Sequence, residues 1–101
     1  MHYVICYDLE SDRLREKTVK PLQRNGCSRV QKSVFVAADM TAKQVAALKT
    51  GLDQLWKAGQ RSPQDSLLIM PLPNECALQT ASVGPNNMLT ALAELPLKII
   101  L

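Results

Sequence analysis

The chain predicts an α+β fold of the ferredoxin-like kind, a βαββαβ sandwich in which one sheet carries one layer of helices. Three observations lead there. Residues 3–7 and 67–70 are apolar on both faces, as strands covered on both sides are. Two longer runs repeat their apolar residues at helical spacing, and a β-branched run between them alternates. In the split βαβ arrangement the two doubly apolar strands are expected at the centre of the sheet, parallel to one another.

Residues 3–7 form the first strand, ending at Asp8, and Ser11 or Asp12 supplies the N-cap of the helix that follows. Leu14, Thr18 and Leu22 mark the packing face of that helix, and Arg13, Lys17, Lys20 and Arg24 form a basic stripe beside it. Pro21 is expected to kink or strain the last turns, and Asn25-Gly26 to stop the helix in a left-handed conformation. Residues 29–37 read as one strand, with Val30, Val34 and Val36 on one side and Arg29, Gln31, Ser33 and Phe35 on the other.

Thr41 and Gln44 match a capping box, and Val45, Leu48, Leu52, Leu55 and Trp56 continue a second amphipathic helix to about Lys57. A loop with Gly59 and Pro63 leads to a strand at residues 66–70, closed by Pro71 and Pro73. Residues 75–81 alternate weakly and read as an edge strand; residues 84–87 read as a turn; residues 97–101, after Pro96, read as a short terminal strand. The expected organisation is a ferredoxin-like core over residues 1–82 and a C-terminal extension over 83–101 whose terminal strand packs on a partner protomer. A chain of this size buries only about 60–65% of its unfolded surface. Its helices cover one sheet face, so a homodimer packed through the opposite faces is expected.

Composition narrows the chemistry. With 47% hydrophobic and 21% charged residues the chain is an ordinary folding sequence. The amino terminus lacks a basic flank and an apolar leader, and no run approaches the length of a membrane span, so a cytoplasmic protein without membrane contact is expected. Cys6, Cys27 and Cys76 are odd in number and lack C-x-x-C spacing, so they read as small hydrophobes in a reducing compartment. His2 is the only histidine, which excludes a Ser-His-Asp triad within one chain. The chemistry must then rest on carboxylates.

Asp8, directly after an apolar strand, is the leading carboxylate. On spacing alone it is either a strand end or helix cap, or a ligand. Two copies related by a two-fold axis would pair one Asp8 from each chain, a set suited to Mg²⁺ or another divalent cation. The net charge of +3 is concentrated in the first third: residues 1–36 hold seven basic and four acidic side chains. The helical basic stripe, with Arg15, Arg29 and Lys32 nearby, is either a solvated face or a phosphate-binding surface.

Tyr7-Asp8-Leu9 after an apolar strand, Ser11-Asp12 with Arg15 and Lys17, then Gly26 and the block Arg29-Val30-Gln31-Lys32-Ser33-Val34-Phe35 closely resemble the CRISPR-associated protein two family. The likeness runs from residue 2 to about 73. It implies a ferredoxin-like homodimer, metal-dependent endonuclease activity on RNA or DNA with Asp8 as metal ligand, and a scaffold role in spacer acquisition beside the CRISPR-associated integrase. By position it implies that Tyr7, Asp8, Arg15, Arg29 and Phe35 take part in activity. Lys17 stands where some members carry arginine, a change that keeps charge and loses bidentate geometry.

Two functions therefore stand side by side. One is a phosphodiesterase in which paired Asp8 residues hold a cation while Arg15 and Arg29 offset charge on the scissile phosphate. The other is an architectural subunit that binds duplex DNA through Arg13, Arg15, Lys17, Lys20, Arg29 and Lys32 without turnover. Single-stranded RNA is an alternative ligand, and an RNA-recognition module a weaker reading, because residues 32–36 lack the adjacent aromatics that stack bases.

Overall fold

The structure is a computed structural model and describes residues 1–93. Its elements are β1 (His2–Asp8), α1 (Asp12–Arg24), β2 (Cys27–Gln31), β3 (Val34–Ala37), α2 (Ala42–Ala58), β4 (Ser66–Leu72), α3 (Asn74–Leu78) and α4 (Met88–Ala93). The strands form one sheet in the order β2-β3-β1-β4, with every neighbouring pair antiparallel. This is the ferredoxin-like α+β class the sequence predicts, with different strands in the predicted places.

The run at 29–37 is two strands. Lys32 and Ser33 form the turn between β2 and β3, and the register slips at Arg29 and Gln31, a bulge that the β-branched pattern conceals. The central strands are β1 and β3, and they run antiparallel; the second doubly apolar run, β4, is an edge. Its outward apolar residues stay open, with Leu68 58% and Met70 40% exposed. Residues 75–81 hold no strand. Pro73, extended at ψ 152°, turns the chain out of β4 into α3, which buries Ala77. The predicted terminal strand at 97–101 lies outside the described residues.

Local signals hold elsewhere. The Ser11 hydroxyl accepts the Leu14 amide, both halves of the Thr41–Gln44 capping box form, and Gly26 ends α1 at φ 80°. Helix α1 continues through Pro21 to Arg24.

The main core lies between the sheet and the two long helices. Ile5, Tyr7, Phe35 and Ala37 meet Leu14, Leu22, Leu48, Leu52 and Trp56 there. The wholly buried Thr18 hydroxyl donates to the Leu14 carbonyl at 2.7 Å and accepts the Trp56 indole N–H at 3.0 Å, tying the helices together. A smaller core occupies the opposite face of the β2–β3 half, where Ala77 of α3 and Ala91 of α4 pack on Val30 and Val36. The described part of the C-terminal extension thus covers its own sheet. On the β1–β4 half of that face Leu72 packs against this small core, and Leu68 and Met70 lie exposed beyond it.

Candidate active site and basic surface

Strand alternation divides the predicted catalytic residues between the two faces of the sheet. Tyr3, Ile5 and Tyr7 point to the helical core, whereas Val4, Cys6 and Asp8 point to the other side. On that open side the register sets Val4 beside Met70, Cys6 beside Leu68 and Asp8 beside Ser66. The result is an apolar strip along β1 and β4 ending in an exposed carboxylate. Burial pushes the Cys6 thiol above its ordinary pKa, so it stays a neutral member of that strip.

The other four catalytic candidates cluster on the helical side. Phe35 pairs with Arg29 across the hairpin and with Ile5 across β1. Its ring lies 6.2 Å from that of Tyr7, stacked at 25°, and the Arg29 guanidinium sits 5.7 Å from its centroid. Arg29 donates from Nε and Nη2 to the Lys32 carbonyl, bracing the β2–β3 turn. Arg15 donates from Nη1 to the Leu9 carbonyl at 2.8 Å and pairs with Asp12. Arg15 thus holds the chain just after β1, and Arg29 holds the β2–β3 turn, whose Ser33 carbonyl accepts the Tyr7 amide at 3.1 Å.

Tyr7 lies between the two arginines, only 6% exposed, and its buried hydroxyl has no hydrogen-bond partner among the described residues. Burial raises its pKa above the usual phenol range, and the charges of Arg29 and Arg15 oppose that rise. Tyr7 is therefore a neutral phenol at physiological pH and cannot act as a general base.

Asp65 was not visible as a functional residue in the sequence. It is 8% exposed, and its two carboxylate oxygens accept the Glu10 amide at 3.0 Å and the Ser62 amide at 2.8 Å. It thereby pins the loop after β1 to the loop before β4. Asp8, Glu10, Gln64 and Asp65 line a depression of about 360 Å³ at this end of the sheet. Among the described residues no three His, Cys, Asp or Glu side chains gather as metal ligands.

Arg13, Lys17, Lys20 and Arg24 are exposed along α1, and none forms an ion pair among the described residues. Arg13 and Lys17 flank a cleft of about 270 Å³ against Gly59 and Gln60. The stripe spans some 16 Å at 1.5 Å per residue. No helix among the described residues is long and apolar enough to cross a membrane.

Residues 1–80 match the family model described as CRISPR associated protein Cas2. The chain belongs to the Cas2 family. A CRISPR-associated endoribonuclease Cas2 of Methanospirillum hungatei is 29% identical over 75 residues, 74% of each chain. Among solved structures, the hypothetical protein TT1823 from Thermus thermophilus superposes with a TM-score of 0.68 at 27% identity, covering 84% of this chain and 92% of that one. Streptococcus pyogenes Cas2 gives a TM-score of 0.68 at 20% identity over 83% of this chain and 100% of its own. A chain of a partial Cas6-RT-Cas1–Cas2 complex gives 0.71 at 24% identity, covering 81% and 89%. These last two likenesses establish the fold. The resemblance read from Tyr7-Asp8 and the 29–35 block is thus confirmed at the level of family.

Proposed function

We propose that this Cas2-family chain acts as a homodimeric subunit of a CRISPR spacer-acquisition complex beside its integrase, with one Asp8 per chain available for divalent-cation-dependent phosphodiester hydrolysis. The observation that carries the proposal is the position of Asp8 at the end of an apolar strip that the described residues leave exposed at Leu68 and Met70. A second copy laid on that strip buries Leu68 and Met70 and brings its own Asp8 to the same side. The named activity of the Methanospirillum relative and the integrase-containing complex of a structural neighbour support this reading.

The donor set fits a hard cation when two chains contribute. Mg²⁺ takes one or two carboxylates and completes its octahedron with water and phosphate oxygens. Two Asp8 side chains meet that need. The bound cation would supply charge neutralisation at the phosphate and an acidified water. Asp8 would hold and orient it, while Arg15 fixes the chain after β1 through the Leu9 carbonyl and Arg29 braces the β2–β3 turn through the Lys32 carbonyl.

The same bonds favour the architectural function as a second reading. Arg15 and Arg29 are engaged within the chain, Tyr7 stays protonated and the Asp65 carboxylate is taken up by two backbone amides, so among the described residues the exposed carboxylates at this end of the sheet are Asp8 and Glu10 alone. Duplex binding would then fall mainly to Arg13, Lys17, Lys20 and Lys32, which are exposed.

Leu68→Glu places a charge in the middle of the strip and should convert the dimer to a monomer of 11.2 kDa by light scattering at micromolar concentration. A wild-type chain that already measures as a monomer there would overturn the sheet-face dimer. For the basic stripe, the readout is salt dependence. Each phosphate neutralised adds about 0.9 to the slope of log affinity against log salt, so replacing Arg13 and Lys17 together should lower that slope by up to ~1.8 for any duplex sequence. A slope equal to the wild type's, measured with the integrase present, removes these two residues from the interface.

A further inference from the structure

A groove of about 450 Å³ runs between α1 and α2 on the helical side of the molecule. Ala47, Gly51 and Leu55 of α2 give it an apolar floor, and Lys20, Pro21 and Arg24 of α1 form its cationic wall. Gly51 lies inside a 17-residue helix, where glycine is less stable than alanine. Inside a helix a glycine is needed where a neighbour packs too closely for a side chain. Gly51 has no such neighbour among the described residues: a Cβ built on it meets nothing within 4 Å. No packing among the described residues requires the missing side chain, and its absence deepens the groove from outside.

The wall carries a second feature. Pro21 has no N–H, so the Lys17 carbonyl one turn earlier cannot receive its helical hydrogen bond. That leaves the Lys17 carbonyl without its helical donor, in a residue that lines the groove. Lys20 and Arg24 are exposed and form no ion pair among the described residues.

We propose that this groove docks an acidic amphipathic helix of a partner protein. Its apolar side chains would lie on Ala47, Gly51 and Leu55, its carboxylates would face Lys20 and Arg24, and Gly51 would let the two helix axes approach closely. A nucleic-acid backbone would use the cations and leave the apolar floor unused. The proposal does not rest on the assignment of Asp8 or on the sheet-face dimer.

The test uses the full chain and a fluorescein-labelled synthetic helical peptide of glutamate and leucine, with a lysine-leucine peptide of equal spacing and a duplex DNA as comparators. The acidic peptide should bind, shift the Gly51 amide resonance, and outcompete the basic one. Gly51→Ala should raise the melting temperature and yet weaken the peptide, because the methyl that helps the helix obstructs the guest. Gly51→Leu and Arg24→Glu, shown folded by circular dichroism, should each weaken it about 10-fold or more, roughly 1.4 kcal/mol. No binding of the acidic peptide, or wild-type affinity in Gly51→Leu, overturns the proposal. Loss of duplex affinity in Gly51→Leu equal to the loss of peptide affinity overturns it in favour of a nucleic-acid surface.

Discussion

Asp8→Asn should abolish divalent-cation-dependent cleavage while leaving the fold intact. The exchange replaces one carboxylate oxygen by an amide of nearly equal size and removes the charge that holds the cation. Asp8 is exposed, and the β1–β4 register at Ser66 is made by backbone atoms, so stability should change by no more than about 0.5 kcal/mol. If the cation contributes several kcal/mol to the transition state, the rate should fall by about 10²- to 10³-fold. The measurement is cleavage of single-stranded RNA and of duplex DNA with Mg²⁺ and with chelator, alongside thermal melts of both proteins. An unchanged rate in the variant removes Asp8 from the reaction. A wild type that cleaves neither substrate, while its integrase complex still inserts DNA, selects the architectural reading.

Much of this was legible because the relevant signals are local. Ser11, Thr41, Gln44 and Gly26 act within one turn of the chain, and each does in the structure what its residue type suggests. Strand placement failed because it depends on distant partners. A doubly apolar run signals cover on both faces but not who provides it, and on the outer face of β4 the described residues leave Leu68 and Met70 exposed. The turn at Lys32-Ser33 was hidden for a different reason: neither residue is Gly, Pro, Asn or Asp, and Arg29 braces the turn through its side chain.

At the candidate site, sequence proximity misled in one respect and served in another. Tyr7 and Asp8 are neighbours in the chain, yet alternation sends them to opposite faces. Arg15, Arg29 and Phe35, far apart in sequence, do gather around Tyr7. Asp65 gave no signal because an aspartate before a strand looks like any loop residue; only its two amide partners reveal it.

Phe35→Ala should be the most destabilising single change in the chain, at about 3–5 kcal/mol. The ring is wholly buried at the centre of the sheet, it stacks on Tyr7, and it carries the Arg29 guanidinium over one face. A domain of this size has only about 5–15 kcal/mol in total, so the variant should unfold at a much lower urea concentration with a similar slope. Phe35→Leu keeps most of the volume and should lose less, separating the cavity from the aromatic contacts. A double-mutant cycle with Arg29→Ala then isolates the cation–π pair, expected at about 0.5–1 kcal/mol because Arg29 is exposed. Tyr7→Phe provides the internal contrast. It deletes the one buried side-chain polar atom left without a partner among the described residues, so it should be neutral or stabilising where an ordinary tyrosine would lose a hydrogen bond. A Phe35→Ala midpoint equal to the wild type's would show that this ring does not hold the β1–β3 centre of the sheet, and the cluster of Tyr7, Arg15 and Arg29 built around it would have to be redrawn.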